Sequence, residues 1–123
     1  VLLVEDDLPV RHLLVEVLSR CGCTVTEAGH GREALALRRE RLADGRRYDL
    51  VVLDLDLPLL GGEECLRIMC QCDPHLRAVI ITGMAISSGK RAMLLQEAKG
   101  LLIKPFPPEA FVLTVECALD AVT

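Results

Sequence analysis

Four apolar runs along the chain each end on a charged or hydroxylated residue. Val1–Val4 leads into Glu5 and Asp6, Leu50–Leu53 into Asp54, Ala78–Ile81 into Thr82, and Leu101–Ile103 into Lys104. Short continuous apolar runs suit strands covered on both faces. A weaker strand is expected around Thr24–Glu27. Between these runs the pattern changes to a helical period. Val10, Leu13, Leu14, Val17, Leu18 and Cys21 share one helical face, with Pro9 in the first turn and Gly22 closing the helix. A helix led by Gly31 runs to about Leu42, with Asp44-Gly45 as its turn. Glu63 to Cys72 reads as a helix with Leu66 and Met69 inward, preceded by a loop at Pro58 and Gly61-Gly62 and stopped by Asp73-Pro74. Ser87-Ser88 offers caps for a helix running to about Ala98, and Pro107-Pro108 opens the last one.

Five strand–helix units in alternation predict an α/β fold, a doubly wound parallel sheet with helices on both faces and right-handed crossovers. In such sheets ligands bind in the crevice outside the carboxyl ends of the strands. Three carboxylates, a hydroxyl and an ammonium would therefore meet in one pocket.

At 123 residues, 51% of them hydrophobic, the chain has the material for one domain, residues 1–123, with a real core. Acidic residues outnumber basic ones, 18 to 14, and the basic ones are scattered, so direct nucleic-acid binding is not expected. No apolar stretch approaches the roughly 18 to 20 residues of a membrane span, and no secretory signal opens the chain. A cytoplasmic setting is the expectation. The six cysteines show neither CxxC pairs nor interleaved histidines, and read as reduced structural thiols. His12, His30 and His75 stand apart from one another and read as surface or packing residues. Starting on its first strand without a methionine and stopping after its last helix, the chain reads as an excised domain.

Val1-Leu-Leu-Val-Glu-Asp-Asp7, Tyr48-Asp-Leu-Val-Val-Leu-Asp-Leu-Asp-Leu-Pro58, Val79-Ile-Ile-Thr-Gly83 and Ile103-Lys-Pro-Phe106, in this order and spacing, resemble the receiver domains of two-component response regulators over essentially the full length. The resemblance implies a flavodoxin-like sheet in the order 2-1-3-4-5. It implies that Asp54 accepts a phosphoryl group from a phosphohistidine, and that Glu5, Asp6, Asp54 and the Asp56 backbone carbonyl hold Mg²⁺. Thr82 and Lys104 would bind phosphoryl oxygens and share the catalytic role with Asp54. Such a domain is not a conventional enzyme; it catalyses its own aspartyl phosphorylation and slow dephosphorylation. Its implied partners are a histidine kinase or histidine phosphotransfer protein, with an output domain or parent kinase in the same polypeptide, such as a hybrid histidine kinase.

The chemistry of the residues is compatible with this. A carboxylate beside a divalent cation can attack an activated phosphoryl group, because cation and ammonium neutralise its oxygens through the in-line step. Asp7 reads as a helix-start acid. The chain departs from the family pattern at two single positions and one three-residue stretch. Leu101 stands where a switch aromatic is usual, Gly83 where alanine is commoner, and Leu59-Leu60-Gly61 replaces a Gly-Met-Asp-like loop. These leave the reacting groups in place and bear on the switch that would run through Thr82 and Leu101. Two other readings remain open: a receiver used as a constitutive interaction module, and a haloacid-dehalogenase-like phosphatase using Asp54-Leu-Asp56.

Overall fold

The computed structural model describes residues 1–120. Its elements alternate as expected: β1 (Leu2–Val4), α1 (Leu8–Arg20), β2 (Thr26–Ala28), α2 (Gly31–Ala43), β3 (Val51–Asp54), α3 (Gly62–Cys72), β4 (Ala78–Thr82), α4 (Ser88–Glu97), β5 (Gly100–Ile103) and α5 (Pro108–Asp120). All neighbouring strands are parallel, in the order β2-β1-β3-β4-β5. This is the flavodoxin-like order, with β1 and β3 side by side at the switch point.

The central strands are apolar throughout because both sheet faces are covered, and their side chains alternate between two cores. Leu2, Val4, Val51, Leu53, Ile80 and Leu101 pack under α2, α3 and α4. Leu3, Val52, Val79 and Ile81 pack under α1 and α5, against Leu14, Leu18, Phe111 and Val115. Each such aliphatic side chain, fully buried, contributes about 1.5–3 kcal/mol.

Two sequence expectations shift. β2 lies nearer its loop than Thr24–Glu27, because its pairing with β1 starts at Thr26 opposite Leu2. On α1, Leu13 is 52% exposed while Leu14 and Leu18 are buried, so the buried stripe is narrower than the apolar pattern. The cap residues act locally. Asp7 accepts from the Val10 N–H, His30 Nδ1 from the Glu33 N–H, and Ser87 from the Lys90 N–H. Asp7 is thus a helix cap, as expected, and His30 has a capping role that the sequence alone did not reveal.

Candidate phosphoryl-acceptor site

Strand register brings the chemical residues together. Val4 pairs with Leu53, so Glu5 and Asp54 follow side by side. Asp54 pairs with Ile81 and Thr82 with Ile103, which places Thr82 and Lys104 at the same carboxyl edge. The loops leaving this edge are held by backbone bonds, among them Leu55 N–H to the Ile81 carbonyl at 2.8 Å and Lys104 N–H to the Thr82 carbonyl at 2.7 Å.

Glu5, Asp54 and Thr82 are buried, while Asp6 is exposed. Lys104 Nζ lies between the two buried carboxylates, 2.8 Å from Glu5 Oε1 and 3.1 Å from Asp54 Oδ2. One ammonium thus serves two acids. Burial, and then the neighbouring Asp54 carboxylate, push Glu5 up to about 7 despite the lysine. At Lys104 burial works against the charge, but the bonds to Glu5 and Asp54 outweigh it and raise its pKa.

The floor of the site depends on close packing. α3 starts directly against β3: a Cβ at Gly62 would lie 2.2 Å from the Asp54 carbonyl oxygen and 2.5 Å from Leu55 Cα. Only a residue without a side chain fits there. In the preceding loop Leu59 adopts φ 65°, a left-handed conformation that glycine accepts more readily, and the residue is 95% exposed. Arg11 reaches back from α1 to the Glu5 carbonyl at 3.2 Å.

Glu5, Asp6 and Asp54 each offer a carboxylate oxygen, and these oxygens lie within 4.8 Å of one another. Hard oxygen donors this close together, two of them sharing one ammonium, fit a divalent cation such as Mg²⁺. Asp56 enters the site in two ways. Its N–H donates to Asp54 Oδ1 at 2.8 Å, and its own carboxylate accepts from Thr82 Oγ1 at 3.1 Å and from the Gly83 N–H at 2.6 Å. The resemblance implies a ligand role for the backbone carbonyl of Asp56, whereas this side-chain role follows only from the assembled strands. Leu101 is buried in β5 opposite Ile80, inside the α2–α3–α4 core. The structure therefore brings Glu5, Asp6, Asp54, Asp56, Thr82 and Lys104 to one edge, while Leu101 lies in the core within β5, ahead of Lys104.

The cysteines lie elsewhere. Cys65 is buried in α3, and burial pushes its thiol up to about 11, so it stays neutral at ordinary pH.

Among known proteins, the model of the response regulator receiver domain matches residues 1–116. The chain is 28% identical over 117 residues to the chemotaxis protein CheY of Thermotoga maritima, covering 91% of this chain and 90% of that protein. It is 34% identical over 120 residues to the sensor kinase CckA of Brucella abortus, covering 98% of this chain but only 12% of the kinase. Among solved structures, the receiver domain of NtrX from Brucella abortus superimposes with a TM-score of 0.86 at 28% identity, over 98% of each chain. No helix among the described residues is long and apolar enough to cross a membrane. With its strand order, its acidic edge and these matches, the chain belongs to the response regulator receiver domain family of two-component signalling.

Proposed function

We propose that Asp54 is the phosphoryl acceptor of this receiver domain. The observation that carries the proposal is the juxtaposition of a buried carboxylate with two further acids and an ammonium at the carboxyl edge of the sheet. An Asp54 oxygen attacks the phosphorus of a phosphohistidine. The P–N bond breaks as the P–O bond forms, and the imidazole keeps the electron pair. Asp54 ends as an acyl phosphate, which water later hydrolyses to free aspartate and inorganic phosphate. Glu5, Asp6, Asp54 and the Asp56 backbone carbonyl would hold Mg²⁺, which supplies neutralisation of the phosphoryl oxygens. Lys104 leaves its apo contact with Asp54 to pair a phosphoryl oxygen, and Thr82 donates its hydroxyl to another.

Receiver domains work with histidine kinases or phosphotransfer proteins and are often fused to other domains. We assign this chain a cytoplasmic kinase or phosphotransfer donor, with an output domain or parent kinase in the same polypeptide as its readout. The similarity to a short part of a sensor kinase supports the second arrangement. The chain would work as one domain over residues 1–123. Treatment with a small phosphodonor and Mg²⁺, read by intact mass, tests the acceptor. One phosphoryl adduct is expected on wild type and none on Asp54→Asn or in excess EDTA. An undiminished adduct on Asp54→Asn would place the acceptor elsewhere.

A further inference from the structure

Thr82 and Gly83 are already occupied in the unphosphorylated domain. The Asp56 carboxylate takes the Thr82 hydroxyl through Oδ1 at 3.1 Å and the Gly83 N–H through Oδ2 at 2.6 Å. The Met84 N–H donates to Thr82 Oγ1 at 3.2 Å, so the hydroxyl's own hydrogen is the one directed at Asp56. Each donor has a single hydrogen to give. Asp56 is also fastened beside the acceptor, through its N–H to Asp54 Oδ1. The glycine at position 83 allows this close approach, because a Cβ there would lie 3.3 Å from Asp56 Oδ2, tighter than most such contacts.

We infer that the Asp56 side chain is an internal anionic competitor, which holds the Thr82 hydroxyl assigned to a phosphoryl oxygen, together with the adjacent Gly83 N–H, and must release that hydroxyl for a phosphoryl group on Asp54 to be bound. The inference rests on Asp54 being the acceptor. A carboxylate that holds a donor wanted by an incoming phosphoryl group opposes it twice, by occupying the donor and by like charge. Asp56 is therefore a positioning residue that sets how tightly the modified state is held. It is distinct from the metal-binding role proposed for its backbone carbonyl, which side-chain substitution leaves in place.

Wild type, Asp56→Asn and Asp56→Ala are compared in three measurements: the apo amide spectrum, Mg²⁺ affinity, and beryllofluoride affinity at saturating Mg²⁺. In the apo spectrum the Gly83 amide resonance should move upfield in Asp56→Ala, as its short charged bond is lost. Beryllofluoride should bind at least roughly tenfold more tightly to Asp56→Ala, the effect expected for release of one hydrogen bond to a charged group. Asp56→Asn, which removes the charge and keeps an acceptor, should lie between. Mg²⁺ affinity should change less than beryllofluoride affinity. A Gly83 resonance unmoved in the apo variants, or beryllofluoride bound equally or more weakly by them while wild type binds it normally, overturns the competitor role and leaves Asp54 as acceptor. Failure of wild type to bind beryllofluoride at all overturns the acceptor assignment and the competition with it.

Discussion

At the scale of single residues, the site is governed by too many acids for one base. Glu5 is buried with Asp54 beside it, and its pKa is raised to about 7 from an ordinary 4.5. The folded state therefore binds a proton at Glu5 that the unfolded chain releases at lower pH. Its contribution to stability is full below about 4.5 and is lost as pH rises towards 7. We expect the metal-free domain to lose stability between pH 5 and 7.5 in thermal unfolding, and Glu5→Gln, which cannot ionise, to flatten that decline. An unchanged decline in Glu5→Gln would assign it to other groups. Added Mg²⁺ should raise the melting temperature most at the upper end of this range, where Glu5 is free of its proton. Leu59 carries a different cost. Its left-handed backbone opposes an L side chain by roughly 1–2 kcal/mol, partly offset by the greater unfolded-chain entropy of glycine. Leu59→Gly should thus stabilise the domain by about 0.5–1 kcal/mol in urea unfolding, and a loss of stability would show that the exposed leucine makes up its strain through contacts.

At the scale of elements, the site exists because α3 can touch β3. Gly62 stands where any Cβ would overlap the Asp54 backbone. Gly62→Ala must push α3 or the Asp54–Leu55 peptide outward, at a cost of about 1–3 kcal/mol, as for overpacking elsewhere. It should also slow phosphoryl transfer to Asp54, because the shifted backbone carries the proposed nucleophile. Stability and transfer measured on the same variant check this; full transfer with lowered stability would show that the strain is absorbed by α3 alone. Much at this scale was legible in the chain. Each central strand is a short apolar run stopped by the residue that carries chemistry, so elements and site share the same punctuation. What was not legible depended on partners far apart in the sequence. The narrow buried stripe of α1, with Leu13 outside it, follows from how α1 meets the sheet and not from its period. Likewise β2 takes its start from pairing with β1.

At the scale of the whole molecule, one strand order accounts for the site. Glu5 and Lys104 lie at opposite ends of the chain and meet only because β5, β4, β3 and β1 lie in that order across the sheet. The residue types at the strand ends were readable from the sequence, whereas the double use of Lys104 and the grip of Asp56 on Thr82 and Gly83 required the sheet to be assembled. That grip also bears on the phosphatase reading of Asp54-Leu-Asp56. The second acid is turned towards the donors of β4, and the chain belongs to the receiver family, so the enzyme reading has no observation in its favour. Leu101, buried opposite Ile80, offers the α4–β5 side a packed aliphatic group in place of an aromatic with a polar tip. The claim that four strand ends form one phosphoryl-binding site is tested most directly by amide chemical-shift mapping with Mg²⁺ and beryllofluoride, on wild type and Asp54→Asn. Large shifts are expected in wild type at Glu5–Asp7, Asp54–Asp56, Thr82–Met84 and Lys104, absent from Asp54→Asn when beryllofluoride is added. Shifts of equal size in Asp54→Asn, or shifts gathered at the opposite edge around Arg47, Asp73 and Arg77, would contradict it.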